Sequence, residues 1–263
     1  MNLQFLIIDT QNDFAHPTGS LFVPGADKDS ERLAAMLKRH VSQINDIHVT
    51  LDTHHWVDIA HPIFWVDNQG HHPAPFTTIT EDDVLSGQWK TFHPSCQARA
   101  SEYVKALKAN GHYDLIIWPP HCLIGQTGHN IVTPIAEVLI EWENTFTMVD
   151  YILKGFNMWT EHYSAVKAEV PDLDDPTTLL NSQLIDNLKQ ADLIACSGQA
   201  LSHCVASTIR DIADNLGEEN VSKLVLVEDT SSPVSGYEAD GEQFIAEMKA
   251  RGMQMVQSTA TLL

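Results

Sequence analysis

Positive charge is scarce in this sequence: 15 Lys and Arg stand against 35 Asp and Glu over 263 residues, for a formal charge of −20. Such a surface repels phosphate backbones, and no run of Lys and Arg supplies a basic patch, so nucleic acid is not an expected partner. Long apolar runs are missing as well. None reaches the ~18–20 residues that a membrane span needs, so no membrane partner is expected either. Cysteine is sparse, with Cys96, Cys122, Cys196 and Cys204 forming no CxxC pair. That spacing argues against a disulfide framework and suits a reduced compartment. The first strand-like run opens at Leu3 with no basic stretch or cleavage-type segment ahead of it, so the expected location is cytoplasmic. Internal repeats, low-complexity tracts and linkers are also lacking, and one domain over residues 1–263 is the expectation.

What the chain does have is apolar mass, 43% of its residues, distributed in a strand–helix rhythm. Strand-like runs fall at Leu3–Ile8, Ile47–Leu51, Leu115–Trp118, Thr147–Ile152, Leu193–Cys196 and Leu224–Val227, with a weaker one at Met253–Gln257. They are continuous rather than alternating, which suits parallel strands covered on both faces. Helical patterns lie between them, at Asp27–Ile44, Cys96–Lys108, Ile131–Glu143, Gln183–Lys189, His203–Asn215 and Tyr237–Arg251. In the first of these, Leu33, Met36, Leu37, His40, Val41 and Ile44 recur at steps of three and four, which puts them on one face. The alternation predicts an α/β fold with a doubly wound, mainly parallel six-stranded sheet and helices on both faces. One stretch, about residues 53–95, is rich in His, Pro, Trp and Asp and fits no useful helix. It is expected to be a long loop excursion.

Sites in such sheets form at the carboxyl ends of the strands, and polar residues gather there. Asp9 ends the first strand, Asp52 the second and Lys154 the fourth, while His121 follows the third and Cys204 the fifth. The segment from Ile194 through Cys204 reads as strand, tight turn at Gly198, then a helix beginning at His203 or Cys204 with Ser202 as its cap. A thiol in a first helical turn faces free N–H groups, which favour thiolate and can hold an oxyanion. A small buried core residue is the commoner fate of a free cysteine, and Cys196, inside its strand, is read that way. Asp9 and Lys154 are costly to bury alone. Near one thiol they make a base and a cation, and otherwise a structural ion pair. Asp13 is read as a loop residue that accepts turn hydrogen bonds.

Asp52 and His54, two residues apart, with His61 and His121 farther on, form a possible metal set. Two imidazoles and a carboxylate suit Zn²⁺, Fe²⁺ or Mn²⁺ with positions left open. Fourteen histidines make chance adjacency easy, and His55, His71, His72 and His93 are equally read as loop residues.

Five segments in order carry a resemblance: IIDTQNDF with SLFVPGA behind it, LDTHH, IIWPPHCLIGQTG, YILKGFN followed by HYSAV, and SGQALSHCVASTIRD. On these, the chain resembles the isochorismatase-like cysteine hydrolases, and within them the nicotinamidase/pyrazinamidase group. The resemblance runs from residue 5 to about residue 215. It implies an isochorismatase-like hydrolase fold and a catalytic triad of Asp9, Lys154 and Cys204. It further implies an oxyanion hole from the N–H groups of Ala200 and Cys204, with a cis bond before Ala200, and a substrate ring held between Phe14 and Trp118. One divalent metal, zinc first with iron or manganese as alternatives, would be held by Asp52, His54 and His121, with His61 as fourth ligand or supporting group. The implied reaction is hydrolysis of nicotinamide to nicotinate and ammonia through a thioester on Cys204. The partner is then a small aromatic carboxamide, with a homo-oligomer left open. The alternative within the family is a cysteine hydrolase acting on a different amide or an N-carbamoyl substrate. Outside it stand a metallohydrolase with an inert Cys204 and a binding protein without turnover. The chain departs from the family pattern at Gln199, Leu201, Ser202 and His203, and Thr53 stands where an aromatic residue is common.

Overall fold

The computed structural model describes residues 1–111 and 113–262. Six strands form one sheet: β1 (Leu3–Ile8), β2 (Ile44–Asp52), β3 (Asp150–Lys154), β4 (Leu193–Gly198), β5 (Leu224–Val227) and β6 (Gln254–Val256). Their order is β6-β5-β4-β1-β2-β3 and every pairing is parallel. The chain starts at the centre, winds outward to β3, then returns to β1 and winds the other way. The order therefore reverses between β1 and β4, where ligand crevices form in doubly wound sheets.

All six residues of β1 are buried, which is why its sequence, apart from Gln4, is apolar without alternation. Successive side chains still point to opposite faces. Leu3, Phe5 and Ile7 join one core with α1 (Ala26–His40) and α3 (Thr133–Glu143), through Leu33, Leu37, Ile135 and Leu139. Leu6 and Ile8 join the other core, with α2 (Gln97–Asn110), α4 (Ser182–Lys189), α5 (Ala206–Leu216) and α6 (Glu238–Ala250). All six expected helices form, displaced by only a few residues at their ends. Among the described residues no helix is long and apolar enough to cross a membrane.

Two expectations need correction. The apolar run Leu115–Trp118 is not a strand of the main sheet. Only Leu115–Ile116 pairs, antiparallel to Thr78–Ile79, and the weaker run near residue 254 takes the sixth place instead. A short apolar segment buried under a loop looks the same in sequence as a parallel strand. The excursion is also more regular than its composition suggests. Trp65–Val66 pairs with Lys90–Thr91, and a helix over Glu81–Ser86 begins in a reciprocal capping box between Thr80 and Asp83. Its function in the fold is visible in two bonds: Ile117 N–H donates to Thr77 O at 2.8 Å and Trp118 N–H to Ala60 O at 2.8 Å. The excursion thus fixes the segment that carries Trp118 and His121.

Candidate active site

Strands β1, β2, β3 and β4 end side by side, so their last residues meet. Asp9 follows β1 with a positive φ of 47°, which turns its carboxylate toward β2 and β3. Thr50 holds it there, donating from Oγ1 to Asp9 Oδ1 at 2.5 Å while Asp9 N–H donates to Thr50 O at 3.2 Å. At the end of β4, Gly198 has φ 126°, and a Cβ there would lie 1.9 Å from Ile8 O, so only glycine permits the close approach. The next bond, Gln199–Ala200, is cis. Gln199 finds partners of its own: Nε2 donates to Asp29 Oδ2 at 2.9 Å and Oε1 accepts from Ser232 N–H at 3.2 Å.

The helix start differs from expectation. Leu201–Val205 is a π-helical turn, in which Val205 N–H reaches back five residues to Ala200 O at 3.1 Å, and regular helix begins only at Ala206. Ser202 does not cap it. Buried inside the turn, its hydroxyl oxygen accepts from Val234 N–H at 3.1 Å and pairs with His203 Nδ1 at 2.9 Å. Widened turns of this kind recur at functional sites, and here the turn sets Cys204 facing Lys154.

Lys154 Nζ is the hub of the first cluster. It lies 2.9 Å from Asp9 Oδ2, 3.1 Å from Asp52 Oδ1, 2.9 Å from His162 O and 3.6 Å from Cys204 Sγ. Burial opposes its charge, yet the carboxylates of Asp52 and Asp9 outweigh burial and hold the ammonium well above the usual lysine range. Burial raises Asp9 above the ordinary carboxylate value; Lys154 opposes the rise and Asp52 adds to it. Burial also pushes the Cys204 thiol well up; Lys154 opposes the rise, and the charges of Asp9 and Asp52 add to it. The environment therefore favours a protonated thiol at rest, where position at a helix start had suggested thiolate. A base of raised proton affinity, Asp9, shares the Lys154 ammonium with it.

The second cluster shares Asp52. Its Oδ2 lies 3.1 Å from His54 Nε2 and 3.2 Å from His121 Nε2. Gln11 clamps the Asp52 backbone, accepting from its N–H at 2.8 Å and donating to its carbonyl at 2.7 Å. A bridge between the 54 and 122 loops, His54 N–H to Cys122 O at 3.1 Å, brings His121 in. Asp13 holds the same loop by accepting from Cys122 N–H at 2.7 Å and from Ser20 N–H at 3.0 Å, the loop role its position suggested. Each histidine of the set is anchored through Nδ1: His54 to Asp58 Oδ2 at 3.1 Å, His121 to Pro119 O at 2.9 Å, and His61 to Trp56 O at 3.3 Å. Anchoring one ring nitrogen outward leaves the other free as a metal donor. Asp52, His54 and His121 offer donor atoms all within 4.8 Å of one another, and His61 Nε2 is buried without a hydrogen-bond partner beside them. These residues fit a divalent cation. Burial pushes His61 down to about 4, so its imidazole is neutral and able to donate a lone pair.

A small cavity lies between the two clusters. Phe14, Trp118, Ala200 and Cys204 line it, with Asp52 and His121 at the metal-type set. Phe14 meets the His121 ring edge-on at 5.3 Å. The structure thus brings the two residues expected for the substrate ring, Cys204 of the expected triad, and Asp52 and His121 of the expected ligands to one cavity, while Asp9, Lys154 and His54 contact those residues without lining it. His55 packs on Phe156 and His72 Nδ1 bonds Trp65 O, both as loop residues, while His71 pairs with Asp67 and His93 with Ser95. Sequence reasoning assigned no role to Asp58, Glu161, Tyr163 or His203. Glu161 lines the cavity, with burial pushing it up to about 8 and its Oε2 unpartnered. Tyr163 accepts from Trp118 Nε1 at 3.1 Å. The only signal for Tyr163 lay in the HYSAV segment, where no single residue stood out, and Glu161 stands just before that segment.

No family model matches the chain. A curated nicotinamidase of Saccharomyces cerevisiae is 24% identical over 252 residues, 95% of this chain and 97% of that protein. The yeast nicotinamidase solved with the inhibitor nicotinaldehyde superposes with a TM-score of 0.68 at 20% identity, covering 97% of this chain and 99% of the other. The pyrazinamidase of Pyrococcus horikoshii in complex with zinc gives a TM-score of 0.58 at 18% identity, covering 98% of this chain and 99% of the other. The resemblance carried by five motifs therefore extends to the whole architecture: the chain has the α/β fold of nicotinamidase and pyrazinamidase structures.

Proposed function

We propose that this chain is a metal-dependent cysteine amidohydrolase that converts nicotinamide and water to nicotinate and ammonia. One observation carries the reading: Cys204, bound through the buried Lys154 ammonium to Asp9, lines the same cavity as Asp52 and His121 of the convergent Asp52, His54 and His121 donors. The nicotinamidase relative and the shared fold support it.

The residues supply each step. Asp9 takes the thiol proton as Sγ adds to the carboxamide carbon. The N–H groups of Ala200 and Cys204 receive the oxyanion; the Ala200 N–H donates no other hydrogen bond among the described residues. Protonated Asp9 then returns its proton to the amide nitrogen, the C–N bond breaks, and ammonia leaves a thioester on Cys204. Asp9 next deprotonates a water, whose oxygen adds to the thioester carbon. The C–S bond breaks, the acid leaves, and Asp9 returns the proton to sulfur. Lys154 remains an ammonium throughout and balances whichever anion is present, Asp9 or the thiolate. Asp52, His54 and His121, with His61 beside them, would hold a divalent ion, zinc by the chemistry of three imidazoles and a carboxylate. When bound, such an ion supplies a Lewis-acidic anchor for the ring nitrogen of the substrate. Phe14 and Trp118 line the space for the ring.

Ammonia release from nicotinamide by the purified protein is the test, before and after chelation, alongside a panel of other carboxamides and N-carbamoyl compounds. Cys204→Ala should lose activity by on the order of 10⁴-fold or more while keeping its metal content. Full activity in that variant, or turnover of other amides with none of nicotinamide, would overturn the proposal.

A further inference from the structure

Gln199 precedes Ala200, whose N–H is one of the two proposed oxyanion donors, and it is a point where the chain departs from the family pattern. It is only 1% exposed. An apolar side chain would fill that space at less cost, because a buried amide is unfavourable unless its hydrogen bonds are made. Here they are made. Nε2 donates to Asp29 Oδ2 at 2.9 Å, and Oε1 accepts from Ser232 N–H at 3.2 Å. The reverse orientation would set an oxygen against a carboxylate and an N–H against an N–H, so the amide has one way to sit. Both partners are fixed in turn. Asp29, in the first turn of α1 and buried, accepts from Arg32 Nη2 on its other oxygen at 2.6 Å. Ser232 packs on the start of that helix, where a Cβ on Gly25 would lie 2.9 Å from Ser232 Oγ.

A peptide group is planar, so the direction of the Ala200 N–H is set once both ends of its plane are held. On the Gln199 side, the backbone N–H donates to Ile8 O at 2.8 Å and the side chain adds its two bonds. On the other side, Ala200 O accepts from His203 N–H at 3.0 Å and Val205 N–H at 3.1 Å, and Leu201 N–H donates to Ser232 O at 2.8 Å. Ser232 therefore grips the chain on both sides of Ala200, through the Gln199 side chain and through the Leu201 backbone. Ala200 itself lines the cavity with Cys204. We infer that Gln199 is a positioning residue: its amide, clamped between Asp29 and Ser232, holds the Ala200 N–H in the direction from which it meets the oxyanion. The inference rests on the amidase reading above for the identity of that anion. Such donors act through alignment made before the reaction, so a small misplacement slows the chemical step and leaves binding of the ring alone.

Two ligands separate these effects. Nicotinaldehyde offers a carbonyl: Cys204 Sγ bonds to its carbon, the C=O π pair moves to oxygen, and Asp9 takes the thiol proton, which leaves a charged oxygen for the two N–H groups. 3-Methylpyridine offers the ring with no oxygen. Kd for each is measured by calorimetry, and kcat and KM for nicotinamide by ammonia release. Gln199→Met, which keeps the length and removes both bonds, should lower kcat by about 10–100-fold with KM little changed. It should weaken nicotinaldehyde by a similar factor and leave 3-methylpyridine unchanged. Gln199→Glu sets a second carboxylate against Asp29 and should show the same pattern. Combining it with Asp29→Asn reverses donor and acceptor: the new amide donates to the new carboxylate, which still accepts from Ser232 N–H. That pair should restore most of kcat and of aldehyde affinity. Asp29→Asn alone leaves the turn untouched; it should carry a smaller loss confined to kcat and the aldehyde, and it decides the matter where Gln199→Met does not fold. Equal losses for both ligands would show that Gln199 only supports the fold, and would overturn the inference. So would an unchanged aldehyde affinity, a pair that restores nothing, or wild type that takes up no aldehyde. A loss confined to the aldehyde, in protein that hydrolyses no amide, would uphold the clamp while sinking the amidase reading.

Discussion

Lys154 and Asp9 form a buried ion pair, Nζ to Oδ2 at 2.9 Å, with side chains 1% and 0% exposed. The same ammonium also contacts Asp52 at 3.1 Å, so a single cation compensates two carboxylates drawn from β1 and β2. Lys154→Met should leave both anions buried without a counter-ion. Removing one partner from such a pair costs about 3–5 kcal/mol, and here two are stranded. The expected outcome is a matching drop in unfolding free energy from urea titration of metal-free protein at pH 7. The drop should be smaller at pH 5, because Asp9, already raised by burial, takes up a proton more readily once Lys154 is gone. A loss under about 1 kcal/mol would show that water solvates the cluster.

Asp58 offers a cleaner separation of fold from function. Its Oδ2 accepts from His54 Nδ1 and its Oδ1 from Ala60 N–H at 2.9 Å, both within the loop after β2. Asp58→Asn retains the size and an acceptor but removes the charge that fixes the His54 tautomer. Losses of this kind typically lower metal affinity by about 10–100-fold. Competition with a chromophoric chelator should show that drop with the far-ultraviolet spectrum unchanged. Unaltered affinity would mean that His54 is no ligand.

How much of this was legible in the sequence follows from the kind of signal each feature leaves. The strands β1, β2, β4 and β5 are fully or mostly buried, so they write continuous apolar runs. Asp9, Asp52 and Lys154 stand out because each ends such a run with a charge. The π-helical turn left no trace, since its geometry depends on Val234 and Ser232 some thirty residues away. Asp58 was equally silent, and His203 showed only as a departure from the family pattern, with no hint of its surroundings. A loop aspartate four residues after His54 has no periodicity to betray it, and the enclosure of His203 is made by tyrosines at 113, 163 and 237, which only the fold brings together. The run at Leu115 misled because burial under a loop and burial in a sheet demand the same residues.

Gly155, just past β3, tests how tightly the two clusters are coupled. Its φ is 79°, and a Cβ would lie 2.7 Å from Asp52 Oδ1 and 3.1 Å from His54 Cε1. The flexible part of this contact is the Asp52 carboxylate, which touches Lys154 on one oxygen and the two histidines on the other. Gly155→Ala should therefore weaken metal binding and activity together, beyond the roughly 1 kcal/mol of stability that positive φ costs a residue with a side chain. If metal affinity holds while stability falls, the clash is relieved by backbone movement and the coupling is weaker than the distances imply.

The last prediction concerns acid. His203 is held down to about 4 by burial, whereas an unfolded chain binds the proton near pH 6.5. Between those values the unfolded state carries one more proton than the folded state, so stability rises with pH, by up to about 1.36 kcal/mol per pH unit. The folded state keeps its full advantage above about pH 6.5, loses it as pH falls toward 4, and loses nothing further from this residue below that. The whole effect is worth roughly 3 kcal/mol. His203→Phe removes the titrating group but keeps an aromatic ring among Tyr113, Tyr163 and Tyr237. Its stability, whatever its value at pH 7.5, should fall less steeply than wild type between pH 6.5 and 4, by close to one proton in the slope of unfolding free energy against pH. Parallel curves would place the His203 proton elsewhere: either the ring is solvated in solution, or a neighbour takes up the charge as it forms.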